Sequence, residues 1–393
     1  MPEDPNLIFH TAIIGAGASG LFCAGSFDAP KIVLDANETA ARKVAISGGG
    51  KCNFSNRFLT AAQYESQHPH FCKSALAAFK PTDFSTLLDE QHIPWEERSE
   101  GRLFAKRADD IVRFLVRRAK QHHTTLSLGN RVLNVQKKDD TFLLATSAGN
   151  IRAKHVVLAC GGLSFPSLGA SSFGFQLARL WGLKIVPPRP VLCGLRFPKP
   201  LRDSFCALCG NSLPVTIRQG KHSFQDQLLF THEGISGPAV LKLSLFWQDQ
   251  NEVEIDFLPH ERAAEIFSRH KNSSKTFASV LADYLPGKIA KILLAGVDVP
   301  LSNATRAQLQ TAAQRLHRFC FTPEGTSGYT KAEATAGGID TGELNASTLQ
   351  VKRLPGVFVT GELVDVTGNL GGFNLHWAWA SAFIAAQALK QCP

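Results

Sequence analysis

The sequence predicts an α/β fold whose main domain is built from both ends of the chain and is interrupted by inserted β-rich and helical modules. Two observations predict this arrangement. The chain opens with an apolar strand, a glycine-rich turn, a helix and a second strand, and it closes with another glycine-rich turn that leads into an apolar helix. Its 393 residues exceed one typical hydrophobic core, so two or three domains are expected.

The first stretch, from His10 to Asp35, is typical of a Rossmann-like βαβ unit. Three glycines follow its apolar strand in the order G-x-G-x-x-G: Gly15, Gly17 and Gly20. In such a unit they allow a tight turn, a close diphosphate approach and close helix packing, in that order. The helix starting near Ala18 would direct backbone N–H groups at the diphosphate, and Asp35 ends the second strand where a ribose should lie. The stretch predicts a dinucleotide site, with an ordinary tight turn as the alternative.

Composition limits the class of protein. The hydrophobic fraction of 44% is that of a globular protein, and lysine and arginine exceed the acidic residues by nine. This excess suits an anionic partner such as RNA, although the cations are scattered along the chain. Residues 2–4 form no basic leader, and no apolar run approaches the ~18 residues of a membrane span. A cytoplasmic protein without a membrane segment is expected.

The nine cysteines have irregular spacings, which predicts reduced thiols rather than a disulfide framework. Cys206 and Cys209 form a C-x-x-C pair. A structural zinc site needs a second pair, for which only Cys193 and Cys320 are candidates. No metal site is therefore predicted.

Residues 42–53 predict a loop, because they are basic, rich in glycine and lack an apolar period. Three consecutive glycines at 48–50 would admit a left-handed backbone and bring N–H groups close to a ligand. Arg42, Lys43 and Lys51 would supply cations for phosphates or an electron-rich ring. The alternative is a mobile surface loop.

Apolar periodicity predicts helices over 73–91 and 109–122. Alternation then predicts an antiparallel meander with strands near 131–137, 141–146 and 151–153. A separate buried strand is expected from 156, ending in the glycines at 161 and 162.

Three prolines, at 187, 188 and 190, indicate a crossing between domains. Short alternating runs follow, then helical periodicity, and after them a strand and a glycine-rich helix entry. The predicted division is a main domain of 1–190 and 323–393, an inserted β-barrel-like domain of 191–258 and an inserted helical domain of 259–322.

Five stretches together carry a family likeness: GAGASG, RKVAISGGGKCN, LFTHEGISGPA, AEATAGGI and VTGELVDVTGNLGGFNLHWAWASA. In this order, and over nearly the whole chain, the sequence resembles the YhiN/BaiN-type FAD-dependent oxidoreductases. The resemblance implies a Rossmann-like FAD-binding domain of the two-dinucleotide-binding-domain flavoprotein type, with an inserted β-barrel and a small helical domain.

The same resemblance implies cofactor contacts, position by position. The diphosphate would be held by Gly15, Ala16, Gly17, Ala18, Ser19 and Gly20, with Asp35 at the adenosine ribose, where many relatives have glutamate. The flavin side would be approached by Arg42, Lys43, Gly49, Gly50, Cys52 and Asn53. Val132 would contact the adenine, and the strand ending at Ala159 and Gly161 would pass beneath the cofactor. The ribityl chain and ring would be enclosed by Gly361, Glu362, Asp365, Gly372, Phe373 and Asn374.

Some positions depart from the family pattern. Ala105 and Arg107 replace its usual proline and serine, and Phe173 stands where aspartate is common. These departures bear on the substrate more than on FAD.

The activities implied are reduction of a conjugated C=C bond in steroid-like acids and, in one branch, dihydrouridine formation in large-subunit (23S) ribosomal RNA. In both, a flavin hydride adds to one carbon and an acid protonates the other. NAD(P)H is the expected electron donor. Cys52 and His232 are the candidate acids; a buried filler and a structural histidine are their respective alternatives.

Three functions remain open from the sequence. The first is reduction of uridine in ribosomal RNA. The second is an NAD(P)H-dependent flavin reductase or oxidase acting on a small-molecule enone or amine. The third is a non-catalytic, flavin-containing RNA-binding or assembly protein.

Overall fold

The computed structural model of the chain describes residues 7–392, so the expectation drawn from residues 2–4 lies outside the described part. These residues form two compact units, one of residues 7–190 with 334–392 and the other of residues 191–333. No helix within 7–392 has the length and apolar character needed to cross a membrane.

The chain up to residue 191 alternates between strands and helices. Its strands are β1 (Ile8–Ile14), β2 (Lys31–Leu34), β3 (Asn53–Asn56), β4 (Tyr64–Glu65), β5 (Trp95–Arg98), β6 (Arg102–Ala105), β7 (Thr124–Ser127), β8 (Val132–Lys138), β9 (Thr141–Thr146), β10 (Gly149–Leu158) and β11 (Ile185–Val191). Its helices are α1 (Ala18–Ala24), α2 (Arg42–Gly50), α3 (Lys73–Ala78), α4 (Pro81–Glu90), α5 (Ala108–Gln121) and α6 (Phe173–Leu180).

The second unit contributes seven strands and six helices. The strands are β12 (Leu195–Arg196), β13 (Ser212–Gln219), β14 (His222–Phe230), β15 (Gly234–Ser236), β16 (Val253–Asp256), β17 (Phe319–Phe321) and β18 (Gly325–Thr326). The helices are α7 (Lys199–Phe205), α8 (Pro238–Ser244), α9 (Ala263–Arg269), α10 (Phe277–Val280), α11 (Gly287–Leu293) and α12 (Arg306–His317). The end of the chain adds β19 (Ala334–Ile339), β20 (Val357–Val359), β21 (Thr367–Gly368) and α13 (Phe373–Leu389) to the first unit.

The first unit is organised around a seven-stranded sheet in the order β7-β2-β1-β10-β9-β8, with β20 also paired to β10. Strands β7, β2, β1 and β20 run parallel to their neighbours, as a βαβ unit requires. The predicted α/β fold is therefore confirmed. Because β20 comes from the end of the chain and lies beside β10, both ends of the sequence build one sheet.

Strand β10 corrects the expectation of two separate strands near 151–153 and 156–158. It is one strand of ten residues, Gly149–Leu158. Its first half pairs antiparallel with β9, its second half pairs parallel with β20, and β1 pairs in parallel with residues 152–158. A single long strand thus joins the antiparallel meander to the parallel sheet.

The helix expected over 73–91 is two helices, α3 and α4. Lys80, between them, has extended backbone angles (φ −95°, ψ 162°), and Pro81 is the first residue of α4. The residue before a proline is pushed out of the helical region, and proline is well tolerated in the first helical turn, which explains the break.

The last helix packs against the first. Trp379, fully buried, lies with its ring centroid 4.8 Å from that of Phe84 and 5.5 Å from that of Phe22, and its Nε1 donates to Phe54 O at 3.0 Å. Replacing such a buried tryptophan with alanine costs ~3–5 kcal/mol. This packing fixes the C-terminal glycine-rich turn relative to the βαβ unit.

The second unit contains a seven-stranded antiparallel sheet in the order β17-β16-β13-β14-β15-β12-β18. Its strands and helices share one hydrophobic cluster. The unit reaches Glu333, beyond the boundary expected at 322, because β18 pairs with β12. The division of this segment into a barrel-like and a helical domain at 258 stays a prediction.

Candidate functional site

The glycine turn between β1 and α1 contains two glycines that pack against the protein and one that does not. A Cβ atom on Gly15 would lie 2.3 Å from Ala159 O, and one on Gly20 would lie 1.9 Å from Gly15 O. A Cβ on Gly17 would meet no atom of the described residues within 4 Å. Gly15 and Gly20 are therefore required for packing, whereas the space at Gly17 is open to a ligand, as a diphosphate site requires.

Asp35 follows β2 and holds the turn from the other side. Its Oδ2 accepts from Ala16 N at 2.7 Å, and its Oδ1 accepts from Asn37 N at 2.8 Å and from Asn37 Nδ2 at 2.9 Å. A carboxylate offers about four acceptor positions. One position on Oδ2 is left, which fits a ribose hydroxyl.

Val132, expected at the adenine, lies at the start of β8 and is buried. Two residues earlier, Asn130 N donates to Asp35 O at 2.8 Å, so this strand begins next to Asp35. The contact between Val132 and adenine stays a prediction.

The basic segment expected to be wholly a loop contains a helical turn. Helix α2 begins at Arg42, and its backbone leaves the helical region at Ser47 (ψ 145°), followed by left-handed angles at Gly48 and Gly49. The absence of an apolar period hid this turn, since only Val44 is buried. Cβ atoms on Gly49 and Gly50 would meet no described atom within 4 Å, so this part of the segment is open to a ligand.

The two cations at the start of α2 have different partners. Arg42 Nη1 donates to Asn37 Oδ1 at 2.9 Å, which places this guanidinium in the Asp35 network. Lys43 Nζ lies 2.9 Å from Glu362 Oε2 and 3.2 Å from Oε1. A direct contact of Arg42 with the flavin stays a prediction, and its observed partner lies at the expected adenosine end.

Glu362 joins three segments of the first unit. In addition to Lys43, its Oε1 accepts from Thr335 N at 2.7 Å, and Thr335 Oγ1 accepts from Leu163 N at 2.8 Å. A Cβ on Gly162 would lie 2.5 Å from Thr335 Oγ1, so only glycine fits there. The sequence motif AEATAGGI contains Thr335, but sequence reasoning gave that threonine no role.

The strand end expected beneath the cofactor has the matching geometry. Ala159 is buried, and its carbonyl is the group that a side chain on Gly15 would strike. Gly161 has φ 72°, and a Cβ there would meet no described atom within 4 Å. The end of β10 therefore lies against the glycine turn and leaves open space beyond it.

The segment Gly361 to Asp365 connects the N-terminal and C-terminal helices. Gly361 N donates to Ser381 Oγ, and Gly361 O accepts from Trp377 Nε1, both at 3.0 Å. A Cβ on Gly361 would lie 2.7 Å from the Oγ of Ser19, a buried residue of α1. Asp365 is buried, which raises the pKa of its carboxyl, while the Gln67 N–H, 2.9 Å from Oδ2, acts against this rise.

The glycine-rich entry to α13 is held by two amide side chains. Asn374 accepts from Gly368 N and donates to Gly368 O, both at 2.8 Å. Asn53, with its amide oriented to match its neighbours, donates to Leu103 O and Ser55 O and accepts from Gly372 N, each at 3.1 Å. Both amides thus shape the turn. Direct contacts of Asn53, Gly372, Phe373 and Asn374 with the flavin stay predictions.

The start of α13 suits an electron-rich ligand group. Gly372, whose N–H is bonded to Asn53, precedes this 17-residue helix and has no side chain with which to cap the first turn. The free N–H groups and the positive end of the helix dipole favour negative charge there.

Cys52 is fully buried and has a left-handed backbone (φ 54°). Burial raises the pKa of its thiol to about 12, so the thiol is protonated at neutral pH. A positive φ is uncommon for a residue other than glycine and places the residue under backbone strain.

His376 is a structural histidine. Its Nδ1 lies 2.9 Å from Ser55 Oγ and its Nε2 lies 3.0 Å from Phe79 O, an arrangement in which Nε2 carries the proton. Burial lowers its pKa to about 4, so the ring is neutral at physiological pH.

His232 lies in the second unit, in the turn between β14 and β15, and its side chain is exposed. The neighbouring Thr231 accepts from Gly234 N through Oγ1 at 3.1 Å and donates its N–H to Gly234 O at 2.8 Å. The turn that carries His232 is therefore fixed, and the catalytic role of the histidine stays a prediction.

Taken together, the first unit fits a dinucleotide cofactor. It offers open space at Gly17, an acceptor on Asp35, an uncapped helix start at Gly372, and open glycines at 49, 50 and 161. These features lie on segments joined by the hydrogen bonds described above.

Comparison with known proteins gives a consistent result. The family model described as "HI0933-like protein Rossmann domain" matches residues 9–388. An Escherichia coli (strain K12) protein named ribosomal RNA dihydrouridine synthase is 39% identical over 391 residues, covering 97% of this chain and 98% of the other. A Haemophilus influenzae (strain ATCC 51907 / DSM 11121 / KW20 / Rd) protein of the same name is 40% identical over 395 residues, covering 96% and 98%.

The name of a more distant relative indicates a different substrate. It is a Clostridium scindens (strain ATCC 35704 / DSM 5676 / VPI 13733 / 19) protein named 3-dehydro-bile acid delta(4,6)-reductase. It is 29% identical over 409 residues, covering 97% of this chain and 99% of the other. All three likenesses run over nearly the whole chain.

Proposed function

The chain belongs to the HI0933-like Rossmann-domain family of FAD-dependent oxidoreductases, and from that premise we propose that it reduces the C5=C6 bond of a uridine in ribosomal RNA. One observation supports this substrate above the others: two relatives named ribosomal RNA dihydrouridine synthase are 39% and 40% identical over nearly the whole chain. The bile acid reductase is 29% identical.

FAD, when bound, supplies the two-electron reduction of the double bond. The protein's own residues would bind and orient the cofactor. The open turn at Gly17 would accept the diphosphate, Asp35 would accept from the ribose, and the start of α13 would favour the electron-rich end of the ring. Lys43, Glu362 and Thr335 would hold the surrounding segments in place.

The second carbon of the bond must receive a proton, and Cys52 and His232 are the two proposed donors. Cys52 keeps its proton through neutral pH because burial raises the pKa of its thiol. Since this thiol is fully buried, it can donate its proton only to a substrate that enters the site as far as Cys52. His232 is exposed and could contact a large substrate such as RNA. General-acid residues commonly contribute ~10²–10⁴-fold to rate, so removing the true donor should be evident.

The charge of the chain supports an RNA substrate. Cations exceed acidic residues by nine, and phosphate neutralisation supplies most non-specific affinity for nucleic acids. A target base in a folded RNA must leave its stack at a cost of a few kcal/mol, which favours an unpaired segment. An rRNA substrate would also place the protein in the cytoplasm.

The test uses the FAD-loaded enzyme with NADH or NADPH as the proposed donor. An unmodified large-subunit ribosomal RNA transcript is incubated with it, and dihydrouridine is measured by mass spectrometry. A steroid enone serves as the competing substrate, because of the bile acid reductase relative. Formation of dihydrouridine supports the proposal. Reduction of the enone with the RNA unchanged contradicts it and favours the small-molecule alternative.

The cells that carry the gene provide a second test. Ribosomal RNA from cells with and without the gene should differ in dihydrouridine. Identical contents, in a strain where no other enzyme makes this modification, would count against the proposal.

A further inference from the structure

One aromatic side chain near the cofactor site is exposed. Six large hydrophobic side chains within residues 7–392 are exposed, and Phe58, at 62%, is the aromatic one among them. A scattered exposed hydrophobic residue needs no explanation by itself. The surroundings of Phe58 are what distinguish it.

The ring of Phe58 packs against Gly101, although most of the side chain is exposed. A Cβ on Gly101 would lie 2.6 Å from Phe58 Cδ2, so the ring rests against the backbone of that glycine. Phe58 N donates to Asn56 Oδ1 at 2.9 Å, and Arg57 N donates to Gly101 O at 2.7 Å. The backbone that carries the ring is therefore fixed, which lowers the entropy lost when the ring binds a ligand.

The segment that carries Phe58 is joined to the cofactor site at both ends. The buried Asn56 donates through Nδ2 to Gly371 O at 3.1 Å, and Gly371 lies two residues before α13 begins. Strand β3, which ends at Asn56, begins at Asn53, next to Cys52 and the open glycine triplet. Phe58 therefore has a fixed position relative to both glycine-rich segments.

Strand β3 pairs antiparallel with β6, and two exposed lysines lie at the end of this pair opposite to Phe58. Lys51 precedes Cys52 and Lys106 follows Ala105, and Ala105 N donates to Cys52 O at 3.2 Å. Both lysines are exposed, and within the described chain neither forms an ion pair. The four residues of β3 separate the two ends by ~13 Å at the usual strand rise of ~3.3 Å per residue.

The other charges on the three-stranded sheet that contains β3, in the order β3-β6-β5, are paired. Arg57 pairs with Glu97 and Arg98 pairs with Glu96. The hydrogen bond from Arg98 lowers the pKa of Glu96, with smaller contributions from Lys51 and Lys106. The acidic groups are thus already neutralised by arginine, which leaves the two lysines available to an anionic ligand.

We propose that Phe58 is a stacking platform for an unpaired base of a single-stranded RNA, next to the base that is reduced, with Lys51 and Lys106 against the RNA phosphates. An exposed aromatic ring combined with nearby cations is how proteins bind single-stranded nucleic acids without reading their sequence. This inference rests on the proposed function, because it requires that RNA be the substrate.

The test is equilibrium binding of a fluorescently labelled, uridine-rich RNA oligonucleotide to the FAD-loaded enzyme, measured by anisotropy. Phe58→Ala should weaken binding about 5- to 150-fold, the range for loss of one base–aromatic stack. Phe58→Trp should restore binding, whereas Phe58→Leu should not, because a leucine has no π-face. Leu180→Ala, which removes another exposed apolar side chain of the same unit, should bind as the wild type does.

The salt dependence tests the lysines independently. Lys51→Gln and Lys106→Gln should each make the negative slope of log K against log salt less steep by about 0.7, the value for one phosphate contact on a single strand. Flavin content and the thermal midpoint of each variant are measured first, so that a loss of folding is recognised.

The binding and reduction results together distinguish failure of the Phe58 platform from failure of the proposed function. Equal RNA binding by Phe58→Ala and the wild type, with uridine still reduced, overturns the platform and leaves the proposed function standing. Rescue by leucine as well as by tryptophan overturns stacking and indicates a general apolar contact, as with a protein partner. A wild type that neither binds nor reduces RNA overturns both proposals.

Discussion

Replacing Gly17 with valine tests the assignment of the dinucleotide site, because this substitution should weaken cofactor binding without preventing folding. Its backbone is extended (φ −86°, ψ −164°), and a Cβ there meets no described atom within 4 Å. An L-residue can adopt this conformation, so valine should fold with a change of about 1 kcal/mol or less. The added methyl groups, however, would occupy the space expected for the diphosphate.

The expected loss of affinity follows from the contacts displaced. A diphosphate pushed away from the turn would lose about two hydrogen bonds from backbone N–H groups, and bonds to charged groups contribute ~1.5–3 kcal/mol each. The sum, ~3–6 kcal/mol, corresponds to a dissociation constant about 10²–10⁴-fold higher. The wild type should purify yellow with non-covalent FAD, and Gly17→Val should purify colourless.

The assay combines FAD titration, followed by flavin fluorescence, with thermal unfolding of the apoprotein. Gly287→Val is the matched control, because Gly287 is also open and has no positive φ but lies in the second unit. Gly20→Ala should fail differently: its Cβ would strike Gly15 O at 1.9 Å, so the protein itself should be destabilised. A folded Gly17→Val protein that binds FAD like the wild type would refute the reasoning.

Three further predictions concern other residues of the first unit. Glu362→Gln removes the charge that pairs with Lys43, whereas its amide oxygen can still accept from Thr335 N, so this variant tests the ion pair. FAD binding should weaken, and Lys43→Gln should reproduce the effect. Unchanged FAD affinity in both variants would contradict the role of the pair. Cys52→Ala should lower the rate of C=C reduction by ~10²-fold or more with FAD bound normally if the thiol donates the proton, and a rate near that of the wild type would assign Cys52 to packing. The pKa of His376 is 6.5 in the unfolded chain and about 4 in the folded protein. The unfolded state therefore binds a proton more readily, so the contribution of the neutral ring to stability is lost as the pH falls from 6.5 to about 4. Denaturant unfolding of wild type and His376→Gln at several pH values checks this, because the difference between their free energies of unfolding should shrink over that range and be constant above it.

The sequence by itself determined the features that depend on neighbouring residues. The strand, the three spaced glycines, the helix and Asp35 all lie within His10 to Asp35, so the βαβ unit follows from local geometry and was predicted correctly. The cofactor roles of these residues stay predictions. The likeness to a known family extended the fold prediction from this unit to the whole chain. The contacts expected from that likeness at Val132, Asp365 and Phe373 stay predictions.

Only the tertiary structure decided which groups meet across long sequence separations. Thr335 meets Glu362, Asn53 meets Gly372, and His376 lies between Ser55 and Phe79, contacts that no periodicity encodes. The reason is physical: a side chain's partners depend on how sheets and helices pack, whereas hydrophobic periodicity reports only which face is buried. The same limit explains why a short helical turn in the basic segment went unseen, and why the exposed ring of Phe58 was visible only once Gly101 was placed beneath it.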